Sequence, residues 1–546
     1  LIFFFGGIWD IQWHQNVGRD QTFTPPHDLI LGGITICGVV ALAGIIVETL
    51  RASAGRVTAP GISFAGSLRG SMGVYIAGFA ALACAIAFPL DNYWHSINGI
   101  DVSLWAPFHV MFIGGMALVG LGTAALFADA AAALAPAAGI RPGVPVRLAQ
   151  IGVFLAFGTS LATLLVLLSP ALGAQGFIRL GGTILSLYPV LLGLTGLVLL
   201  CAATIRLPWT GLATGIVAVM LAERVLTSLT VPPAMAALIQ IQHQTLLPRA
   251  TGTVVGVLAM TPLFLLIAPA LDVMLWLGRR RGWSQRAMQW GAIGAATTVV
   301  FLIAALQLIL TRRALKHSVL AAHFAIVPSL ILGILGAIAG AWLGIAIGHA
   351  IMPAAQPQTA PRPWRPWWQT GLAALSVLTL GITLFSLVQI VFAASFHSDS
   401  AARIIPVTAG AYQVNLAIYA DPIEAGYAQA FTLTPQTGHV IPQGYSMMAL
   451  PAQGVRATPI TADIGAVDGH GQASGTVYIT VRGDWTLLLT VRGTSGQAIA
   501  AVPIAAAASP AIPPAVAWAI GLIPLYGVLI FTGVSVWQRR AVPANT

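Results

Sequence analysis

Over most of this chain apolar residues run together instead of alternating with polar ones. Continuous apolar stretches fall at about 1–14, 27–50, 71–90, 107–135, 148–172, 181–204, 208–228, 250–277, 286–310, 318–350, 369–394 and 514–537. Each is close to the ~20 residues that carry a helix across a bilayer. The pattern predicts an α-helical polytopic membrane protein of about twelve transmembrane helices. Around 232–244 the alternative is a re-entrant segment. Residues 395–513 break the pattern: runs at 412–420, 428–435, 475–482 and 485–492 alternate with period two between Gly, Pro and Asp turns, which predicts an external β-sandwich. The expected divisions are 1–136, a duplicated helix-hairpin region; 148–394, further transmembrane helices; 395–513, the sandwich; and 514–546, a last transmembrane helix with a cytoplasmic tail.

Composition excludes a soluble globular protein. Of 546 residues, 57% are hydrophobic and only 7% charged, where soluble domains carry about 25% charge. The 25 Lys+Arg against 15 Asp+Glu give +10, and with so little charge in total this reads as membrane topology, with no nucleic-acid partner expected. One set of alternate loops holds fourteen arginines: Arg51, Arg56, Arg69, Arg141, Arg147, Arg206, Arg279, Arg280, Arg281, Arg286, Arg362, Arg365, Arg539 and Arg540. The opposite set holds Arg19, Arg179, Arg249, Arg312, Arg313 and Lys316 outside the sandwich. Basic loops stay cytoplasmic, so the sandwich and the outer ends of the first four helices are expected on the extracytoplasmic side of a cytoplasmic (inner) membrane. Cys37, Cys84 and Cys201 sit in apolar runs without paired spacing and read as small core residues. Leu1 lies inside an apolar run with no charged flank, which predicts a true start further upstream.

The most informative feature is an internal repeat of about eighty residues. WDIQWHQNVGRDQTFTPPHDLILGG matches LDNYWHSINGIDVSLWAPFHVMFIGG, pairing Asp10 with Asp91, Trp13 with Trp94, His14 with His95, Gly18 with Gly99, Asp20 with Asp101, Pro25 with Pro107 and His27 with His109. The Gly32–Gly33 pair matches Gly114–Gly115. Each copy is expected to be a helix ending in Asp-x3-His, a short loop, and a Pro-x-His opening the returning helix.

That pattern suits a metal. Residues four apart share a helix face, so Asp10 and His14 can converge, as can Asp91 and His95. Proline is tolerated in the first turn of a helix, which places His27 and His109 at the depth of the first pair. Each copy then offers two imidazoles and a carboxylate. Such a set holds non-haem iron, copper or zinc, and ligand type alone leaves the metal open. Asp20 and Asp101 are expected to support ligand imidazoles or cap the loops.

The first copy also resembles a known family. HQNVGRDQTFTPPH, with Asp10 four residues before His14, is similar to the copper-site segment of the C subunit of the copper membrane monooxygenases, which oxidise methane or ammonia. A second site of that family has Asn-x3-His-x13-His spacing ending in Ala-Pro-x-His; here Asp91, His95 and His109 keep the spacing and end in APFH, with Asp91 in place of Asn. The resemblance covers about residues 1–130. It implies copper as the cofactor, dioxygen and a small apolar substrate, and other membrane subunits as partners. The family's His-x-His site on another subunit has no counterpart in this chain. The external domain resembles the small immunoglobulin-like domains of the CopC and YtkA type and lacks the cysteine of a blue-copper site. Two alternatives to an oxidase stay open: a protein that acquires or stores copper, and an accessory subunit of a larger membrane complex. Copper handling favours soft Met or Cys ligands, which the repeat lacks.

Other candidates carry less. Glu223 and Arg224 are adjacent in the seventh span, do not share a helix face, and are expected to pair with other helices as a proton or substrate path or as a structural pair. His243, His317 and His323 are expected to anchor at the interface, His349 to lie too far away, and Asp272 to be a helix-end charge near Arg279–Arg281. His397, His439, His470, Met447 and Met448 have no ligand spacing and read as surface residues. Trp364, Trp367 and Trp368 are expected in a cytoplasmic connector. No phosphate loop, dinucleotide fingerprint or nucleophile elbow is present.

Overall fold

The computed structural model describes residues 1–18, 23–55, 62–64, 68–100, 104–134, 143–168, 176–242, 255–314, 323–351 and 400–540. Eleven of the twelve apolar segments form helix, and the segment at 369–394 lies outside the described residues, as do the connector tryptophans, His243, His317, His397, Asp20 and Asp101. The helices are α1 (Ile2–Asn16), α2 (Pro25–Ser53), α3 (Met72–Asn98), α4 (Pro107–Ala133), α5 (Val144–Val166), α6 (Tyr188–Thr204), α7 (Leu212–Ile241), α8 (Val255–Arg280), α9 (Gln285–Ala314), α10 (Ile326–Ile351), α11 (Pro514–Gly521) and α12 (Ile523–Arg540).

Among the described residues, seven helices are long and apolar enough to cross a membrane: α2, α3, α4, α5, α7, α9 and α10. That is fewer than the twelve spans expected, and local chemistry accounts for part of the difference. The segment expected at 181–204 is divided. Its first residues belong to a hairpin, β3 (Phe177–Leu180) and β4 (Thr183–Ser186), turned at Gly181 with φ 59°, which leaves 17 residues for α6. The segment at 514–537 is broken at Leu522 into helices of 8 and 18 residues. Conversely, no re-entrant turn forms at 232–241, because α7 continues through Pro232 and Pro233 to Ile241.

Close helix crossings use small residues, as expected where helices meet without a solvent-driven hydrophobic effect. On α10 a Cβ added to Gly336 would stand 2.5 Å from the Val190 carbonyl oxygen, and one on Gly340 would stand 2.5 Å from that of Gly193. Backbone therefore lies directly on backbone along the α6–α10 seam. The two hairpins of the repeat pack alike: Gly33 of α2 lies against Phe3 of α1, and Gly115 of α4 against Cys84 of α3. Phe3 and Cys84 each stand seven residues before their Asp. All three cysteines are free thiols, with Cys84 and Cys201 buried.

The C-terminal strands form two five-stranded sheets. One runs β10 (Ile460–Thr461), β9 (Gly444–Pro451), β13 (Gly483–Gly493), β14 (Gly496–Ala507), β7 (Ile423–Glu424). The other runs β11 (Asp463–Ile464), β12 (Ala473–Ile479), β8 (Tyr427–Pro435), β6 (Tyr412–Ile418), β5 (Arg403–Ala409). In β6 buried positions alternate with half-buried ones, so Tyr412, Val414, Leu416 and Ile418 face inward against Trp485, Leu487 and Leu489 of the other sheet in one core. Met447 belongs to that core at 1% exposure, which corrects its reading as a surface residue; it is an inward position of β9. Two short strands, β1 (Ile62–Phe64) and β2 (Leu68–Gly70), pair antiparallel in the sequence between the two halves of the repeat.

Asp272 is more than a helix-end charge. Its Oδ1 accepts from the Ala213 amide (3.1 Å), and its Oδ2 accepts from the Thr214 amide (2.8 Å) and hydroxyl (2.7 Å). Helix α7 begins after Gly211, which has no side chain to cap it. A carboxylate from α8 thus satisfies its first N–H groups and meets the positive end of its dipole. Asp272→Ala should lower stability by about 1 kcal/mol, within the usual range for loss of a helix cap, read as a drop in melting temperature in detergent. An unchanged melting temperature would remove the capping assignment.

Candidate metal centre

Helix α1 ends in an ordinary C-terminal turn and then Gly18 at φ 71°; α3 ends at Gly99 with φ 100°. These paired glycines take a left-handed conformation that other residues adopt only with strain. They stop each helix just after its histidine. The returning helices start on proline: Thr24 caps α2, its hydroxyl accepting from the His27 amide at 3.5 Å, with Pro25 in the first turn. Pro107 opens α4 after Ala106. The second histidine of each copy, His27 or His109, therefore lies in the first turn of the returning helix.

The side chains converge as the spacing predicts, with the same geometry twice. Asp10 Oδ1 lies 3.5 Å from His14 Nε2 and 3.0 Å from His27 Nε2. Asp91 Oδ2 lies 3.5 Å from His95 Nε2 and 3.1 Å from His109 Nε2. In each triad one ligand-capable atom per residue falls within 4.8 Å of the others. In the second triad the two Nε2 atoms are 3.2 Å apart. His95 Nδ1 donates to the Gly99 carbonyl at 3.1 Å. A carbonyl can only accept, so Nδ1 carries a proton, and Nε2 is the nitrogen turned toward the triad. Asp91 Oδ1 is buried with no hydrogen-bond partner among the described residues, and a bound cation would satisfy it. The donor sets thus fit a divalent metal.

Spacing alone did not reveal that the two triads face each other. The His14 and His95 rings stack at 6.2 Å between centroids, 7° from parallel, and all six residues line one cavity of about 210 Å³. Phe4, Ile8, Ile30, Phe88, Phe112 and Met116 form its apolar wall. Phe88 meets His27 edge-on at 5.5 Å. Gln15, Asn92 and Thr163 also line it; nothing in the repeat pattern marks them, because they enter through the packing of α1, α3 and α5.

Glu223 and Arg224 do pair with another helix. Thr159 of α5 donates to Glu223 Oε1, and Arg224 donates to the Ala162 carbonyl at 2.7 Å while its guanidinium lies over the Phe4 ring at 5.3 Å. Neither reaches a triad. His323 bonds the Gly182 carbonyl and His349 bonds Gln289, both away from the cavity. His439, His470 and Met448 are exposed; none joins a metal-type group.

No protein-family model matches the chain, and neither a curated protein nor a solved structure matches it.

If the triads bind independently, replacing His14 and His27 by Ala should remove one tightly held divalent ion per chain, and replacing His95 and His109 the other. Metal content by mass spectrometry after gel filtration is the measurement. A stoichiometry unmoved by either pair would dissolve the assignment.

Proposed function

We propose that the chain is a polytopic protein of the cytoplasmic membrane that binds copper at both triads, on the extracytoplasmic side, and takes part in a dioxygen-dependent oxidation of a small apolar substrate. The observation that carries this reading is the facing pair of Asp-His-His triads within one cavity that is apolar over most of its wall. The choice of copper over zinc or iron rests on the resemblance of residues 10–27 and 91–109 to the copper-site segments of the membrane monooxygenases. The sidedness rests on the arginine distribution, and the apolar segments beyond the seven long helices complete a count of about twelve crossings.

Bound copper would supply the redox chemistry toward dioxygen. The protein's own part follows from its side chains. Asp10 and Asp91 offset the charge of the cation inside a region where an unpaired ion is costly. The Nε2 atoms of His14, His27, His95 and His109 would bind the metal from fixed helix ends, so little ordering would remain to be done on binding. The ring of Phe88, with Ile8 and Met116, excludes water and leaves space for a small apolar molecule beside the metal. Electrons would come from a donor or another membrane subunit.

The test is to purify the protein from membranes, quantify copper, zinc and iron, and record electron paramagnetic resonance before and after dioxygen and a short alkane are added with a reductant. Oxidase function predicts a copper signal that changes and a hydroxylated product. Copper that stays bound without product would point to storage, and co-purification with a larger complex while the triads hold no metal would point to an accessory subunit.

A further inference from the structure

The two triads share their internal geometry but differ in what holds them. In the first copy the turn around His14 packs among helices: Trp13 and Val17 lie against Met235 of α7, and the Asn16 amide approaches the Met235 sulfur at 3.6 Å. In the second copy the corresponding turn of α3 is gripped by the β-sandwich. Asn92 Nδ2 donates to the Gly426 carbonyl at 2.9 Å, and the Tyr478 hydroxyl donates to the same carbonyl at 2.6 Å and approaches Asn92 Oδ1 at 3.3 Å. The Ser96 carbonyl accepts from the Arg482 amide at 2.9 Å. The Ile100 amide donates to the Arg456 carbonyl at 3.1 Å, and the Ile100 side chain is buried in the hydrophobic core of the sandwich. Beyond the last strand, the Tyr93 hydroxyl accepts from the Ile512 amide at 3.0 Å.

These contacts bracket His95. Its Nδ1 depends on the Gly99 carbonyl, and Gly99 sits between the Ser96 and Ile100 contacts, so close to the sandwich that an added Cβ would stand 2.5 Å from Arg456 Cβ. The last turn of a helix frays readily because its carbonyls have no partners within the helix. Here the sandwich supplies partners on either side of the ligand. Ile100 also lines the metal cavity, so one residue belongs to both the domain core and the wall of the site.

We propose that the β-sandwich is a positioning domain for the second triad: by clamping residues 92–100 it fixes the His95 ring and sets metal affinity there, while the first triad is independent of it. The inference rests on the reading of the triads as metal sites. Asn92, Tyr478 and Gly426 act through His95 and touch no metal. The duplication has thereby produced one site set by the helix bundle and one set by an external domain, and a ligand or protein that moves the sandwich changes only the second.

The test uses the full chain in two backgrounds, one with His14 and His27 replaced by Ala so that only the second triad binds, the other with His95 and His109 replaced so that only the first binds. Cu(II) affinity is measured by chelator competition. In the first background Tyr478→Phe and Gly426→Leu should weaken binding by about 10–100-fold, the usual cost of losing support behind a metal ligand, and should change the pulsed-resonance modulation from the remote His95 nitrogen. In the second background the same changes should leave affinity unmoved, which also reports that the protein is folded. Tyr412→Phe, which loses the hydroxyl bonds to Gly496 and Ser495 inside the sandwich, should leave both triads unmoved. Unaltered binding at the second triad, or equal weakening of both, overturns the positioning role while the metal reading stands. If the unmodified protein holds Cu(II) at neither triad, the metal reading fails and this inference with it.

Discussion

Two carboxylates held at helix ends, each facing a pair of imidazole nitrogens, are the constraint around which the helical part is arranged. A charged group away from water is tolerated only with partners that offset the loss of hydration. Asp10 and Asp91 obtain theirs from a histidine one turn along the same helix and another in the first turn of the next. The geometry requires that each outgoing helix stop just past its histidine and that the returning helix start within a few residues. Paired left-handed glycines at 18 and 99 meet the first demand and prolines at 25 and 107 the second.

Packing then converts two separate hairpins into a single site. Gly33 and Gly115 let each returning helix lie against its partner at equivalent points, so both triads reach similar depth and the His14 and His95 rings meet. The same crossings enclose an apolar space beside the six ligand-type residues. A clustered donor set and an apolar space beside it are therefore products of one arrangement of α1 to α4, with α5 closing the cavity through Thr163 and Val166.

The copies diverge outside that shared core. Where the first turns its flank to α7, the second turns its flank to the strands, and a chain separation of more than three hundred residues lies between Asn92 and Gly426. The sheets are themselves conventional in their logic, with alternating inward residues filling one core, so the contact with α3 is made from turns and strand ends and leaves the pairing of the strands intact.

The triads were legible in the sequence because their geometry is local: Asp-x3-His is one helical turn, Pro-x-His is the start of the next helix, and repetition marks both. The alternating strands were legible for the same reason, since period two is written into neighbouring residues. Continuous apolarity was a weaker guide to crossings, because an apolar run is consistent equally with a helix, the hairpin at 177–186, or the broken helix at Leu522. Met447 was misread, and the capping partner of Asp272 went unseen, because burial and capping depend on which element lies opposite. The facing of the two triads, the shared cavity and the grip of the sandwich on residues 92–100 join parts of the chain far apart in order, and no spacing within a segment records them. Local periodicity determined which side chains could converge; only tertiary packing decided what they converge upon, since contact between distant elements depends on shape and depth that a linear pattern does not carry.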